Sequence, residues 1–286
     1  MNIFKTMQFR FKNANIVEQL IYVNLGVFIT VFLVNTFSFL FGSNSNILLE
    51  WFSLPASFSD FTLKPWTLIT YGFLHVGFIH ILFNLIALFY IGNLFLEYFT
   101  TKQLLTFYFF GTAFGGLIYL ISYNYFPAFS RDIDKSLLLG ASAGISAIFV
   151  GIASYMPNYQ LKIRFIGFVK LWYLAAIWVV FDLIQIPVSN AGGHLAHLGG
   201  ALFGYLYVSQ ASNKKTTLWS QILSLFIIKK KPLKTAYKSG KKTVKSKESN
   251  LPNQKEINTI LDKISKSGYD TLTKTEKEFL FKQGKK

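Results

Sequence analysis

The sequence predicts an all-α, polytopic membrane protein with six transmembrane helices and a basic cytoplasmic C-terminal tail. Of its 286 residues, 52% are hydrophobic, 18% are aromatic and only 15% are charged. Soluble domains are seldom this apolar, whereas multi-span membrane proteins commonly are. The net charge of +16 is unevenly distributed, because the residues after Asn213 contain 19 lysines and six acidic residues and so supply +13 of it.

Six apolar runs are long enough to cross a bilayer, which takes about 20 helical residues. They are residues 19–41, 78–96, 103–123, 138–156, 164–186 and 191–210. The intervening segment 42–77 is also apolar, but Gly42, Pro55 and Pro65 interrupt it. We therefore expect this segment to lie in the outer membrane interface rather than to span the bilayer.

The distribution of positive charge predicts the topology. Six spans place both termini on one side, and most lysines and arginines outside the spans fall on that side. The positive-inside rule then places both termini in the cytoplasm, in a protein of the cell (inner) membrane. We expect residues 1–212 to form the membrane domain and residues 213–286 the basic tail.

The tail divides into three predicted segments. Residues 218–228 are apolar but too short to span, so we expect them to lie flat on the inner leaflet; residues 229–247 are predicted to be disordered. Residues 253–282 predict a small helical hairpin, with Gly268 between its helices and a Thr-x-x-Glu capping box at the second. Beside membrane spans, a lysine-rich tail favours contact with lipid over nucleic acid, so no nucleic-acid partner is expected.

Polar side chains recur on the second, fourth and sixth predicted spans. In that order they are His80 and Asn84, with His75 just before the span; Ser142 and Ser146; and His194 and His197. All three spans run inward from the outer face, so Ser142, His80, Asn84 and His197 are expected at one depth, with Ser142 about one turn inside its helix. Polar groups inside a membrane are costly and indicate a functional site.

Together these motifs resemble the rhomboid family of intramembrane serine proteases. The pieces that carry the resemblance are His75-x4-His80-x3-Asn84, Glu97, Gly-Ala-Ser142 and Ala-His197-Leu-Gly-Gly200-x3-Gly204, within residues 66–205. The resemblance implies a Ser142–His197 dyad without an essential Asp, and an oxyanion site formed by the Ser142 amide and the side chains of His80 and Asn84. It also implies transmembrane protein substrates, cleaved near the outer membrane face without a cofactor.

One departure from the family pattern leaves a second serine open. Rhomboids usually read Gly-x-Ser-Gly, whereas Ala143 follows Ser142 here and Gly144-Ile-Ser146 offers another frame. The motif register favours Ser142. Gly200 and Gly204 are expected to let the fourth and sixth spans approach closely enough for serine and histidine to meet.

The remaining polar groups have less specific interpretations. Asp182 could orient His197, but we favour an interfacial or helix-end carboxylate; His75 is expected to bond a loop carbonyl, and His194 to lie on a polar rim. The four histidines could bind zinc, yet the His-Glu-x-x-His motif is absent and no metal is expected. The chain also has no Cys, which excludes disulfides and thiol catalysis.

Two other function classes stay open. A rhomboid-like protein could bind transmembrane helices without cutting them, although such proteins typically lose the serine or the histidine, and both are present here. A transporter would show inverted repeats with broken helices, and the sequence shows no repeat. The physiological substrate and the partner of the tail do not follow from the sequence.

Overall fold

The computed structural model describes residues 3–43, 46–212 and 251–283. The chain divides into two compact units, Met1–Ile228 and Lys229–Lys286. The segments predicted to lie flat on the membrane (218–228) and to be disordered (229–247) fall outside the described residues.

Helices dominate the first unit. In the described part of the chain, three helices are long and apolar enough to cross a membrane: α2 (Ile16–Leu40), α6 (Phe78–Leu96) and α7 (Thr101–Tyr125). The shorter apolar helices α8 (Ser142–Tyr155) and α9 (Leu171–Gln185) follow, and then α10 (Ala191–Ser212). A further helix, α1 (Ile3–Asn13), precedes α2.

The segment between α2 and α6 forms short helices, in agreement with its interrupted sequence. These are α3 (Ile47–Phe52), α4 (Phe58–Leu63) and α5 (Thr67–Thr70), followed by a 3-10 turn at Tyr71–Phe73. Leu54–Pro55 (β1) pairs antiparallel with Leu137–Leu138 (β2). This pairing fixes the segment against the stretch of chain that leads into α8.

Two predicted helix starts are wrong. Residues 160–170 form an antiparallel hairpin of β3 (Gln160–Ile163) and β4 (Gly167–Lys170), so α9 begins at Leu171 rather than at 164. Positive φ angles at Phe165 (72°) and Gly167 (100°) make the turn, and they are incompatible with a right-handed helix. The apolar content of this hairpin is what made it look like part of a span.

The fourth helix begins later than predicted for a related reason. Leu137 and Leu138 pair with β1, and Gly140 has a φ of +122°, so helical geometry begins only after this turn. Ser142 is therefore the first residue of α8, not a residue one turn inside it. The side chain and the backbone amide of Ser142 therefore both lie at the amino-terminal end of α8.

Helix α8 lies at the centre of the unit, since ten of its 14 residues are buried. Its backbone meets that of α10 at two glycines. A Cβ added to Gly200 would lie 2.0 Å from the Ala143 carbonyl oxygen, and one added to Gly204 would lie 2.2 Å from that of Ala147. Only glycine leaves room for this approach, and the closeness expected from the sequence is confirmed.

The second unit is a pair of helices, Leu251–Ser267 and Lys274–Gln283, separated by Gly268 with a φ of +81° and a 3-10 turn. The Thr273 backbone N–H donates to Glu276 (2.7 Å), and the Glu276 N–H donates to the Thr273 hydroxyl (3.4 Å). Lys263 on the first helix bonds both oxygens of Glu276 at 2.9 and 3.0 Å. One carboxylate thus caps the second helix and ties it to the first.

Candidate active site

Ser142 and His197 are in direct contact. The Ser142 Oγ lies 2.7 Å from the His197 Nε2. Ser146 is fully buried instead, and its hydroxyl accepts a hydrogen bond from the indole N–H of Trp178 at 3.1 Å. Of the two serines that the sequence left open, Ser142 is the one that touches the imidazole.

The turn before α8 lies against the ring of a second histidine, His80. Ala141 caps the helix, and the first intrahelical bond runs from the Ile145 N–H to the Ala141 carbonyl. The amides of the first turn, including that of Ser142, have no acceptor within the helix. Gly140 has a φ of +122°, which favours glycine, and a Cβ added to it would press against the His80 ring, 3.0 Å from two of its atoms.

His80 and Asn84 lie one turn apart on α6 and face the same cleft. The cleft holds about 630 Å³ and is bordered by Ser142, His197 and Trp178, among other residues. The Asn84 side-chain amide donates one hydrogen bond to the His80 carbonyl at 2.9 Å. An amide NH₂ has two hydrogens, so one remains for a group that enters the cleft.

His75 supports the turn rather than the cleft. Its Nδ1 donates to the Phe73 carbonyl (3.3 Å), and its Nε2 accepts from the Ala141 N–H (3.4 Å). Burial, reinforced by the neighbouring His80, lowers the pKa of His75 to about 4. The ring is thus neutral, with one donor and one acceptor, as both bonds require. Its bond to a loop carbonyl is the one expected from the sequence.

From the sequence we favoured an interfacial or helix-end role for Asp182, whereas in the structure its carboxylate contacts two histidines. Its Oδ1 lies 2.9 Å from Nδ1 of His197 and 2.7 Å from Nδ1 of His194. His194 is buried and shares this carboxylate, so it is not a rim residue. The available signal was the i, i+3 spacing of the two histidines, which puts both on one face of α10.

These three residues also carry the donor atoms of a metal site, because their ligand atoms lie within 4.8 Å of one another. Two imidazoles and a carboxylate are common ligands of zinc and iron. Here both imidazoles bond the carboxylate directly, and these hydrogen bonds account for the arrangement. That the protein needs no metal stays a prediction.

Comparisons with known proteins place these residues in a family context. A model of the Rhomboid domain matches residues 62–213, and a model of a family of unknown function (DUF6576) matches residues 245–286. The RHOMBOID-like protein 12, mitochondrial, of Arabidopsis thaliana is 31% identical over 144 residues, which cover 47% of this chain and 43% of the plant protein. The Rhomboid protease GlpG of Yersinia pseudotuberculosis serotype I (strain IP32953) is 24% identical over 169 residues, which cover 56% of this chain and 52% of that protein. The chain thus spans about half the length of these curated relatives.

Proposed function

Because the chain belongs to the rhomboid family, we propose that it is an active intramembrane serine endopeptidase that cleaves transmembrane segments near the outer membrane face. The family to which it belongs consists of integral membrane proteins, and the apolar helices agree with this. The single observation that carries the proposal is the 2.7 Å contact between the Ser142 hydroxyl and the His197 imidazole.

In the proposed reaction, Ser142 is the nucleophile and His197 the general base. The Ser142 Oγ attacks the carbonyl carbon of the scissile bond while Nε2 of His197 takes the hydroxyl proton. The same nitrogen then gives this proton to the leaving amine, so an acyl ester on Ser142 remains. A water molecule, deprotonated by Nε2 of His197, then attacks the ester carbonyl; the C–Oγ bond breaks, the imidazolium returns the proton to the Ser142 Oγ, and the new carboxyl terminus leaves.

The oxyanion of the tetrahedral intermediate needs fixed donors. We assign this role to the backbone amide of Ser142 and the side chains of His80 and Asn84. The amide is free of intrahelical bonds, and the two side chains border the same cleft as the serine. Asn84 keeps its second amide hydrogen for this purpose, while its first holds the side chain against its own helix.

The length of α8 supports a site below the outer surface. Its 14 residues extend about 21 Å, against about 30 Å for the hydrocarbon core of a bilayer. With the cytoplasmic end of α8 at the inner face, Ser142 lies several ångströms below the outer face. This placement belongs to the proposed topology, in which α2, α6, α7, α8, α9 and α10 are the six spans and both termini are cytoplasmic.

A transmembrane substrate has to reach this cleft from the lipid and unwind, since its peptide bonds are hidden within its own helix. The cleft lies between α6, which carries His80 and Asn84, and α9, which carries Trp178. Bulky side chains on α9 are exposed, among them Ile177 (64%) and Phe181 (57%). We propose that the outer end of α9 tilts outward to admit the substrate.

The test is cleavage of a model transmembrane substrate by the purified full-length protein. Ser142→Ala is expected to abolish cleavage, whereas the matched variant Ser146→Ala should retain it, because Ser146 contacts Trp178 rather than the imidazole. A fluorophosphonate should label the wild type and Ser146→Ala but not Ser142→Ala. No cleavage and no labelling by the wild type would favour the alternative, a rhomboid-like protein that binds transmembrane helices without cutting them.

A further inference from the structure

We propose that Asp182 is a positioning residue for the catalytic base. Its carboxylate is the third polar group of the site and bonds the ring nitrogen of His197 that does not face Ser142. The inference rests on the proposed protease function. It departs from the expectation raised by the family resemblance, which implied a dyad without an essential Asp. The structural basis is an unbroken chain of contacts from Ser142 through His197 to Asp182.

The carboxylate selects the tautomer of His197. An ionised carboxylate can only accept hydrogen bonds, so the nitrogen 2.9 Å from the Asp182 Oδ1 has to carry the proton. That nitrogen is Nδ1, which leaves Nε2 unprotonated and directed at the Ser142 hydroxyl. This is the tautomer that a general base needs, because the opposite one would present an N–H to the serine and could not take its proton.

His194 holds the carboxylate in place for this task. Its Nδ1 donates to the same oxygen at 2.7 Å, so Oδ1 of Asp182 is fixed between two imidazoles one turn apart on α10. Within the described parts of the chain, the second oxygen of Asp182 is buried without a hydrogen-bond partner. Among the described residues, only the two histidines hydrogen-bond the Asp182 carboxylate and so orient it.

A purely structural tie between α9 and α10 is the competing explanation. A tie needs only an acceptor, and a neutral amide would supply one at a much lower desolvation cost than a carboxylate. The Asp182 side chain is only 4% exposed, so the charge is costly where it stands. A negative charge beside Nδ1 does what a neutral acceptor does not: it stabilises the imidazolium that forms when His197 takes the serine proton.

The first experiment compares Asp182→Asn with Asp134→Asn, which removes the same charge from an exposed residue of the loop before α8. In the full-length protein, Asp182→Asn is expected to lower kcat roughly 100-fold or more with KM changed by less than about threefold. Fluorophosphonate labelling of Ser142 should slow in parallel, and Asp134→Asn should match the wild type in both. Labelling reports on the nucleophile without requiring a transmembrane substrate to enter.

Each outcome of this comparison either supports or refutes the role of Asp182. A folded Asp182→Asn protein with wild-type kcat and labelling overturns the proposal, and so does one that loses thermal stability but labels at the wild-type rate, since that is the behaviour of a structural tie. Ser142→Ala runs beside them: if it still cleaves, the proposed function itself fails, whereas an inactive Ser142→Ala beside a fully active Asp182→Asn refutes only the role of Asp182.

A second measurement needs no variant at Asp182 and therefore does not depend on its folding. Nitrogen-15 NMR of histidine-labelled wild-type protein distinguishes protonated from unprotonated ring nitrogens, and His197→Ala identifies the signals of that residue. At neutral pH, the Nδ1 of His197 should be protonated and its Nε2 should not. The opposite tautomer would exclude the proposed arrangement.

Discussion

Substitution of Gly200 by alanine should separate Ser142 from His197, its proposed base, without changing either residue. Gly200 lies one turn after His197 on α10, and its added Cβ would lie 2.0 Å from the carbonyl oxygen of Ala143, the residue after Ser142. The obstacle is backbone, so no side-chain rotation relieves it. The two helices have to move apart beside the contact between Ser142 and His197.

The size of this movement follows from the distances. Real Cβ atoms essentially never approach a heavy atom closer than 3.0 Å, so the 2.0 Å separation has to grow by at least 1.0 Å. If the movement is transmitted to the 2.7 Å contact between Ser142 and His197, that distance grows to about 3.7 Å, beyond hydrogen-bonding range. A displacement of this size costs about 100-fold in rate, and overpacking costs about 1–3 kcal/mol in stability.

The assay is the cleavage rate of a model transmembrane substrate, measured together with thermal unfolding. Gly26→Ala on α2 is the matched control, because a Cβ at Gly26 meets nothing within 4 Å, so this substitution pushes no neighbour away. We expect cleavage by Gly200→Ala to fall about 100-fold and cleavage by Gly26→Ala to stay unchanged. Wild-type cleavage by a folded Gly200→Ala protein would refute the reasoning from helix separation.

Three further predictions concern the oxyanion site and the tail. His80→Ala should lower kcat by the equivalent of about 2.7–4 kcal/mol with little change in KM; weakened binding at unchanged kcat would argue against an oxyanion role. The pKa of Glu276 should be about 2 rather than its ordinary 4.5, because the Thr273 backbone N–H and the Lys263 ammonium favour its anion. Since the folded pKa is the lower one, this contribution to the stability of the hairpin is complete above about pH 4.5 and is lost as the pH falls towards 2; a carboxyl NMR titration that finds a midpoint near 4.5 would contradict it. Deletion of residues 213–286 should leave kcat intact, because none of the proposed site residues lies in the tail, and a well-inserted but inactive truncation would show that the tail acts on the site.

The sequence was informative where one short-range rule decides the geometry. Helical periodicity places His80 and Asn84 on one face of α6, and the glycines at 200 and 204 allow the close approach of α10 to α8. The motif register favoured Ser142 over Ser146, and the contact of Ser142 with His197 agrees with that register. These features depend on residue spacing within one helix or on the contact of two backbones.

The sequence was less informative where the geometry depends on the angle between helices or on a turn. Asp182 meets His197 only because α9 and α10 are set against each other after the short connection at 186–190, and no spacing rule encodes that angle. The hairpin before α9 was missed because Phe165 and Ile166 add hydrophobicity to a window without revealing the positive φ of Phe165. The apolar content of a segment indicates how favourably it partitions into lipid, but it does not determine the conformation of its backbone.

The location of Asp182 on α9, while the proposed base belongs to α10, has a consequence for the proposed gate: substrate admission and the timing of catalysis would be linked. If α9 is the wall that tilts outward, it carries the carboxylate away from His197 as it opens. The open protein would then have a misaligned base, and alignment would return only when α9 closes on a substrate that has unwound far enough to fit. A transmembrane helix that enters but does not unwind would dissociate before the base is aligned. Selection against non-substrate membrane proteins would then depend on their residence time in the site rather than on recognition of a sequence. The signature of such an interlock is faster fluorophosphonate labelling when a disulfide staple between α6 and α9 holds the wall closed, provided the reagent still enters from water; slower or unchanged labelling would speak against it.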